Sequence, residues 1–172
     1  MSTPSAGPVY EPAVELRGGV QELKRAFNEH QDAPRLIVLA PPSCSRTLAA
    51  MTEFREEIAR VSMRKPVTWF IIWQDDLPSD DAASAAKASA DLGWDRTLYF
   101  HDGFGTAGRR LARGTVLSGY LARAFLYYPA GLAWTETPPE PAAWVHCMGR
   151  LTPDHAQPPE RMAQAITSRW VE

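Results

Sequence analysis

Cysteine is scarce in this chain: 172 residues hold two, Cys44 and Cys147. Two thiols cannot build a disulfide framework, least of all in a reducing compartment. Each is therefore either a small buried hydrophobe or a reactive thiol. Long apolar runs are also missing. No stretch approaches the roughly 20 apolar residues a membrane-spanning helix needs, so no membrane partner is expected. The first residues, Met-Ser-Thr-Pro-Ser-Ala-Gly-Pro, show no basic region followed by an apolar core, so no secretory signal is read and a cytoplasmic location is expected. Nor is positive charge in excess. Eighteen Lys and Arg against 20 Asp and Glu give a net charge of −2, which leaves no basic face for nucleic acid. Arg109, Arg110 and Arg113 cluster locally and read as a solvated helix face. There is no internal repeat.

What is present suffices for one domain of ordinary size: 45% apolar residues can form a core, and 22% charged residues keep it soluble. Residues 1–16, with Pro4, Pro8 and Pro12, read as an N-terminal tail carrying at most a short edge strand near Val14. Residues 17–172 form the domain.

The domain is organised around Arg35-Leu-Ile-Val-Leu-Ala-Pro-Pro-Ser-Cys-Ser-Arg-Thr-Leu48. Leu36 to Ala40 is an unbroken apolar run, as in a strand buried on both faces. Pro41 and Pro42 end it, because proline donates nothing to a sheet ladder. Leu48, Met51, Phe54, Ile58 and Val61 then recur at helical spacing, and Ser43 or Ser45 is placed to cap that helix. Cys44 thus falls where a buried strand becomes a helix N-terminus, and the partial positive charge there favours a thiolate.

Around this stretch the pattern predicts further elements. Val20, Leu23 and Phe27 mark a short helix ending near His30. Val67 to Trp73 is the strongest strand, rich in β-branched and aromatic residues. Ser79 or Asp80 caps an alanine-rich helix from Asp81 to about Asp91, closed by Gly93. Arg96 to His101 is a strand, followed by an Asp102-Gly103 turn and a helix through Ala107 and Leu111. Ala122 to Tyr128 is a strand that turns on Pro129-Ala130-Gly131, with Leu132 to Trp134 returning as an antiparallel partner. Thr135 to Pro141 is a proline-rich surface loop, Ala142 to Met148 a brief strand, and Met162, Ile166 and Trp170 one face of a last helix. Alternating strands and helices imply a mixed α/β sheet covered on both faces, with the first strands parallel. Their carboxyl ends then share one edge, which carries Cys44, Asp75, Asp76, His101 and Asp102, where open α/β sheets place ligands.

With these elements the chain resembles the thioredoxin-like superfamily, in the branch of TlpA-type and AhpC/peroxiredoxin-type proteins. The resemblance rests on the thiol-bearing turn (Ala40 to Thr47), the buried strand ending in polar residues (Trp69 to Asp76), the inserted strand and helix (Leu98 to Leu111), and the Pro-Ala-Gly turn before a terminal helix. It covers about residues 19–171 and implies an α/β thioredoxin-like three-layer sandwich: a central mixed sheet with helices on both faces. Three departures accompany it. Where the family has Cys-x-x-Cys, this chain has Cys44-Ser45-Arg46-Thr47. Where the family has a cis-proline, it has Tyr120-Leu121-Ala122-Arg123. Where peroxiredoxins have threonine, it has Pro41. The resemblance therefore implies a one-thiol redox protein acting on a small thiol, disulfide or peroxide, or on a protein partner. Cys44, Arg46 and Thr47 form the site, and no cofactor is expected. Its alternatives are a non-catalytic thioredoxin-fold interaction module that has lost the dithiol, or a soft-metal protein using Cys44 with Cys147 or His146.

Other candidates have plain readings beside the chemical ones. His101 could be a base near neutral pH, or pair with a neighbouring carboxylate. Asp75-Asp76 could be an acid/base pair, or a solvated turn and helix cap. Gly103-Phe-Gly105-Thr-Ala-Gly108 matches a dinucleotide fingerprint, although no acidic residue follows at the right distance, so a tight turn and close packing suffice to explain it. Trp69, Trp73, Trp94, Trp134 and Trp144 read mostly as core.

Overall fold

The computed structural model describes residues 10–60, 66–117, 119–148 and 154–169. The expected turn at Met63 and the Trp170 position lie outside them. Six strands form one sheet in the order β1-β4-β3-β2-β5-β6: β1 Val14–Glu15, β2 Arg35–Ala40, β3 Thr68–Gln74, β4 Thr97–Asp102, β5 Ala124–Tyr128 and β6 Ala143–His146. Strands β1 to β4 are parallel along their pairings, and β5 is antiparallel to both β2 and β6.

Five helices accompany the sheet: α1 Gln21–Glu29, α2 Ser45–Arg60, α3 Ala82–Leu92, α4 Thr106–Ala112 and α5 Pro159–Ser168. Crossover hand decides which face each covers. The chain steps from β2 to β3 to β4 in one direction, so right-handed crossovers put α2 and α3 on the same face. The step from β1 to β2 runs the other way and puts α1 on the opposite face. The cores agree. Met51 and Phe54 of α2, Ala85 and Ala88 of α3, and Met162 and Ile166 of α5 pack with Leu36, Val38, Trp69, Ile71, Phe125 and Val145. Leu23 and Phe27 of α1 and Leu111 of α4 pack with Ile37, Leu39, Phe70, Ile72, Leu126 and Trp144. Strict alternation along each strand divides the two sets. The result is the expected three-layer α/β sandwich, a central mixed sheet with helices on both faces and β2 in the sheet interior.

Several sequence expectations need correction. Leu132 to Trp134 is not a strand. Buried Arg35 donates to the carbonyls of Phe27, Pro129 and Leu132 at 3.0, 2.9 and 2.8 Å. Asn28 takes both backbone groups of Trp134, at 2.8 and 2.9 Å. With their polar groups thus satisfied by side chains, these residues cannot also serve a ladder, and β6 supplies the antiparallel neighbour instead. Helix α3 is capped by Asp81 in a reciprocal capping box with Ser84, not by Ser79 or Asp80. Val14 and Glu15 join the sheet through β4, and Ala13 and Leu16 are buried. The edge strand near Val14 is where the pattern put it.

The glycine-rich turn before α4 is packing, not a nucleotide cradle. The Asp102 carboxylate accepts from the amides of Thr106, Ala107 and Gly108 at 2.7, 2.9 and 3.3 Å, so it occupies the donors a pyrophosphate would need. Gly105 sits at φ +66, and a Cβ on Gly108 would fall 2.5 Å from the Tyr120 ring and 2.6 Å from the Leu121 carbonyl. A methyl there forces backbone to move. Gly108→Ala is expected to cost about 1–3 kcal/mol in urea denaturation. Gly19→Ala, where a Cβ would meet nothing within 4 Å, is expected to stay within about 0.5 kcal/mol of wild type.

Candidate functional site

The register fixes what lies along the carboxyl edge of the sheet. Ala40 pairs with Trp73, Trp73 with His101, and Gln74 with Asp102. The loops after β2, β3 and β4 therefore start at nearly one level. Asp80 joins the first two. Its carboxylate accepts from the Ser43 amide (3.1 Å) and hydroxyl (2.5 Å), and from the amides of Asp76 (3.1 Å) and Leu77 (2.7 Å). Ser43 is thus spent on Asp80, and Ser45 is already the first residue of α2, so neither caps that helix.

The cap position belongs to Cys44. Its carbonyl accepts the first helical bond, from Leu48 N–H at 3.0 Å, and its own N–H closes a tight turn onto Pro41 at 3.3 Å. Cys44 is half-buried as a residue, neither sealed nor fully exposed. The Thr47 hydroxyl donates to its sulfur at 3.3 Å. Partial burial works against the thiolate. The Thr47 hydroxyl, the backbone N–H groups of Thr47 and Arg46 and the charge of Arg123 outweigh it, and hold Cys44 below the ordinary cysteine value.

Arg46 contributes there through its backbone. Its guanidinium turns outward to Glu160 at the start of α5, with Nε 2.7 Å and a terminal nitrogen 2.6 Å from the same carboxylate oxygen. The side-chain charge acting on Cys44 is that of Arg123, which the sequence did not single out. It lies just before β5 with φ +46, a left-handed conformation that costs a non-glycine residue about 1–3 kcal/mol. Its carbonyl takes the Cys147 N–H at 3.1 Å, and its Nε stands 3.8 Å from Asp76 Oδ2. The only sequence signal was negative: the stretch Tyr120-Leu121-Ala122-Arg123 has no proline.

Cys147 follows the strand β6, packed against the α2/α5 core. Burial pushes its thiol up. His146 goes to the other face of the sheet: its ring stacks on Trp144 at 5.5 Å and its Nδ1 accepts from the Met148 amide at 3.1 Å. Adjacent strand residues alternate faces, so His146 does not join Cys44. Among the described residues no three His, Cys, Asp or Glu side chains are grouped to hold a metal.

The acidic residues of the edge are all engaged. His101, 5% exposed, is held between Glu15 (Nδ1 to Oε1, 2.8 Å) and Asp75 (Nε2 to Oδ1, 2.7 Å). Burial lowers its pKa, but hydrogen bonds to the two carboxylates and their charges outweigh that and hold it above the ordinary histidine value. Asp76 accepts from the Tyr120 hydroxyl at 3.1 Å, and burial raises its pKa. The solvated-turn reading of Asp75-Asp76 therefore gives way to a structural one.

No family model matches the chain, and no curated protein matches it. A solved structure to which it is similar is a secreted Mycobacterium tuberculosis disulfide oxidoreductase homologous to E. coli DsbE. The two are 16% identical over 92% of this chain and 96% of that one, with a TM-score of 0.45. The chain's own sheet order and crossover hand define a three-layer α/β sandwich with a mixed sheet, and the helix that starts at its central strand carries Cys44 at the cap and Thr47 in the first turn.

A histidine whose folded pKa is raised adds stability below its unfolded pKa of about 6.5, and that stability is lost as pH rises through the folded value. In chemical denaturation, the advantage of wild type over His101→Gln is expected to be larger at pH 6 than at pH 9. An advantage that does not shrink with rising pH contradicts the charged triad.

Proposed function

We propose that the protein is a thiol redox protein in which Cys44 is the nucleophile. The observation that supports this is the half-buried Cys44 at the N-cap of α2, its sulfur receiving the Thr47 hydroxyl at 3.3 Å. A thiolate there attacks the terminal oxygen of a hydroperoxide: an S–O bond forms, the O–O bond breaks, a sulfenic acid stays on the cysteine, and the alkoxide leaves and takes a proton from water to become the alcohol. It attacks a disulfide equally, forming a mixed disulfide and releasing a thiolate. The substrates are thus small peroxides or disulfides, or the disulfide of a partner protein. In this reading Thr47 holds the sulfur by its hydroxyl, Arg46 by its backbone amide, and Arg123 supplies the charge.

The test is the pH dependence of iodoacetamide alkylation, followed at Cys44 by peptide mapping. The midpoint is expected below the roughly 8.5 of an ordinary cysteine, and Thr47→Val is expected to move it upward. Wild type should consume peroxide or a mixed disulfide while Cys44→Ser does not. Equal, negligible reactivity of the two proteins overturns the reading and favours a non-catalytic interaction module.

A further inference from the structure

We infer that Cys147 is the resolving thiol of this site: it condenses with oxidised Cys44 into a disulfide that joins the end of β6 to the start of α2. This rests on the reading of Cys44 as nucleophile. It places the second sulfur on another strand, not in the helix turn where Thr47 stands.

Register carries the argument. Leu39 pairs with Ala124, and Ala124 with His146. One residue further on, the Cys147 N–H bonds to the Arg123 carbonyl, so Ala40, Arg123 and Cys147 form the next row across three strands. Neighbouring strands lie about 4.8 Å apart, so Cys147 sits on the order of 10 Å from the end of β2. The turn from Pro41 to Cys44, closed by a hydrogen bond of 3.3 Å, keeps Cys44 near that end. Cys147 also packs on the face that α2 and α5 cover. The Cys44 charge acts on Cys147, and the Arg123 charge acts on both thiols.

The environment also divides the roles. Cys44 is held low and Cys147 is held high by burial, so the first attacks as thiolate while the second waits as thiol. Space is present beside Cys147. It lines a pocket of about 300 Å³ with Ala156, Gln157, Pro158 and Pro159. The Arg46–Glu160 pair, which ties the first turn of α2 to the start of α5, is exposed on both sides and costs little to open. A disulfide needs Cα atoms within about 7 Å, so the Pro41–Cys44 turn or the end of β6 moves when the bond closes.

The step balances. Cys44 sulfenic acid forms as the hydroperoxide is reduced to its alcohol. Cys147 then loses its proton and attacks the Cys44 sulfur; the S–S bond forms, the S–O bond breaks, and hydroxide leaves with that proton as water. The thiol pair has given two electrons, and an external dithiol restores it. From a mixed disulfide, the same attack releases the partner's thiolate.

Two oxidants separate this proposal from the one beneath it. Diamide, a general thiol oxidant, tests whether the sulfurs can meet; hydrogen peroxide tests whether Cys44 reacts. With one equivalent of either, wild type is expected to lose both free thiols and about 2 Da, as an intrachain disulfide must. Peptide mapping should show Cys44 joined to Cys147. In Cys147→Ser, peroxide should oxidise Cys44 at a rate within about twofold of wild type but leave a gain of about 16 or 32 Da on it. If peroxide gives wild type that same gain while Cys147 stays alkylatable, or diamide gives no intrachain product, the resolving role is overturned and Cys44 remains a one-thiol nucleophile. If diamide joins the pair but peroxide and a mixed disulfide leave Cys44 untouched, the redox reading of Cys44 fails, and the resolving role with it.

Discussion

Strand β2 is paired along both edges, to β3 over Arg35–Ala40 and to β5 over Arg35–Leu39, and it is buried on both faces. A strand with no free edge and no wet face cannot slip by a residue without exposing one apolar set and misplacing the other. Its carboxyl end is therefore the best-fixed point at the rim of the sheet. Everything chemical begins there. Pro41 and Pro42 leave the sheet, the turn onto Pro41 closes, and the next carbonyl starts α2. Asp80 then fastens this turn to the one after β3 by accepting four hydrogen bonds. A carboxylate that satisfies that many donors is worth more to geometry than to reactivity.

That last point extends along the whole edge. Asp102 is taken by the amides of α4, Asp75 by His101, and Asp76 by Tyr120. Burial and the Asp76 charge raise the Tyr120 pKa, so its hydroxyl stays a donor, and its ring closely approaches Gly105 and Gly108 of the α4 turn. Each candidate acid or base is thereby held by a fixed neighbour inside the fold. The Cys44 sulfur differs in kind. It has weak donors, one charge at a distance, and partial exposure. Unspent valence with access to solvent is what a nucleophile requires.

Periodicity made the framework legible. Leu36 to Ala40 and Val67 to Trp73 are apolar at nearly every position, and only a strand between two helical layers accepts that. The helix faces of Leu23 with Phe27 and of Met51, Phe54 and Ile58 gave the layers. The failures have a common physical cause: side chains reaching across the chain. No local pattern reveals that Arg35 satisfies carbonyls 94 and 97 residues away, or that Asn28 pairs with Trp134 at a separation of 106. Those bonds, invisible in sequence, turn a plausible return strand into a packed loop. Cap choice failed for a related reason. Ser43, Cys44 and Ser45 are adjacent and two are good caps by propensity, but Asp80, 37 residues on, takes Ser43 out of competition. Position Cys44 was legible because it depends only on where the strand stops. Arg123 was not, because its place opposite the thiol is set by the β2–β5 register.

The threonine at position 47 is the pivot between these two levels. In a dithiol helix turn the residue three positions after the nucleophile is a sulfur that can attack its neighbour. Here it is a hydroxyl, which donates to the sulfur and stabilises the thiolate but cannot displace a sulfur–sulfur or sulfur–oxygen bond. In the proposed function this separates two jobs that a dithiol turn combines, tuning the first thiol and releasing its product. Tuning stays in the first turn of α2, where the amides and Thr47 are. Release, if intramolecular, has to come from another element at the same height of the sheet. Rows across β2, β5 and β6 define that height, and Arg123 stands in the middle of the row, strained into a left-handed conformation with its carbonyl tied to the Cys147 amide. Strain kept at such a point is tolerated only where the surroundings over-determine it. The start of β5 is therefore part of the candidate site as well as a connector.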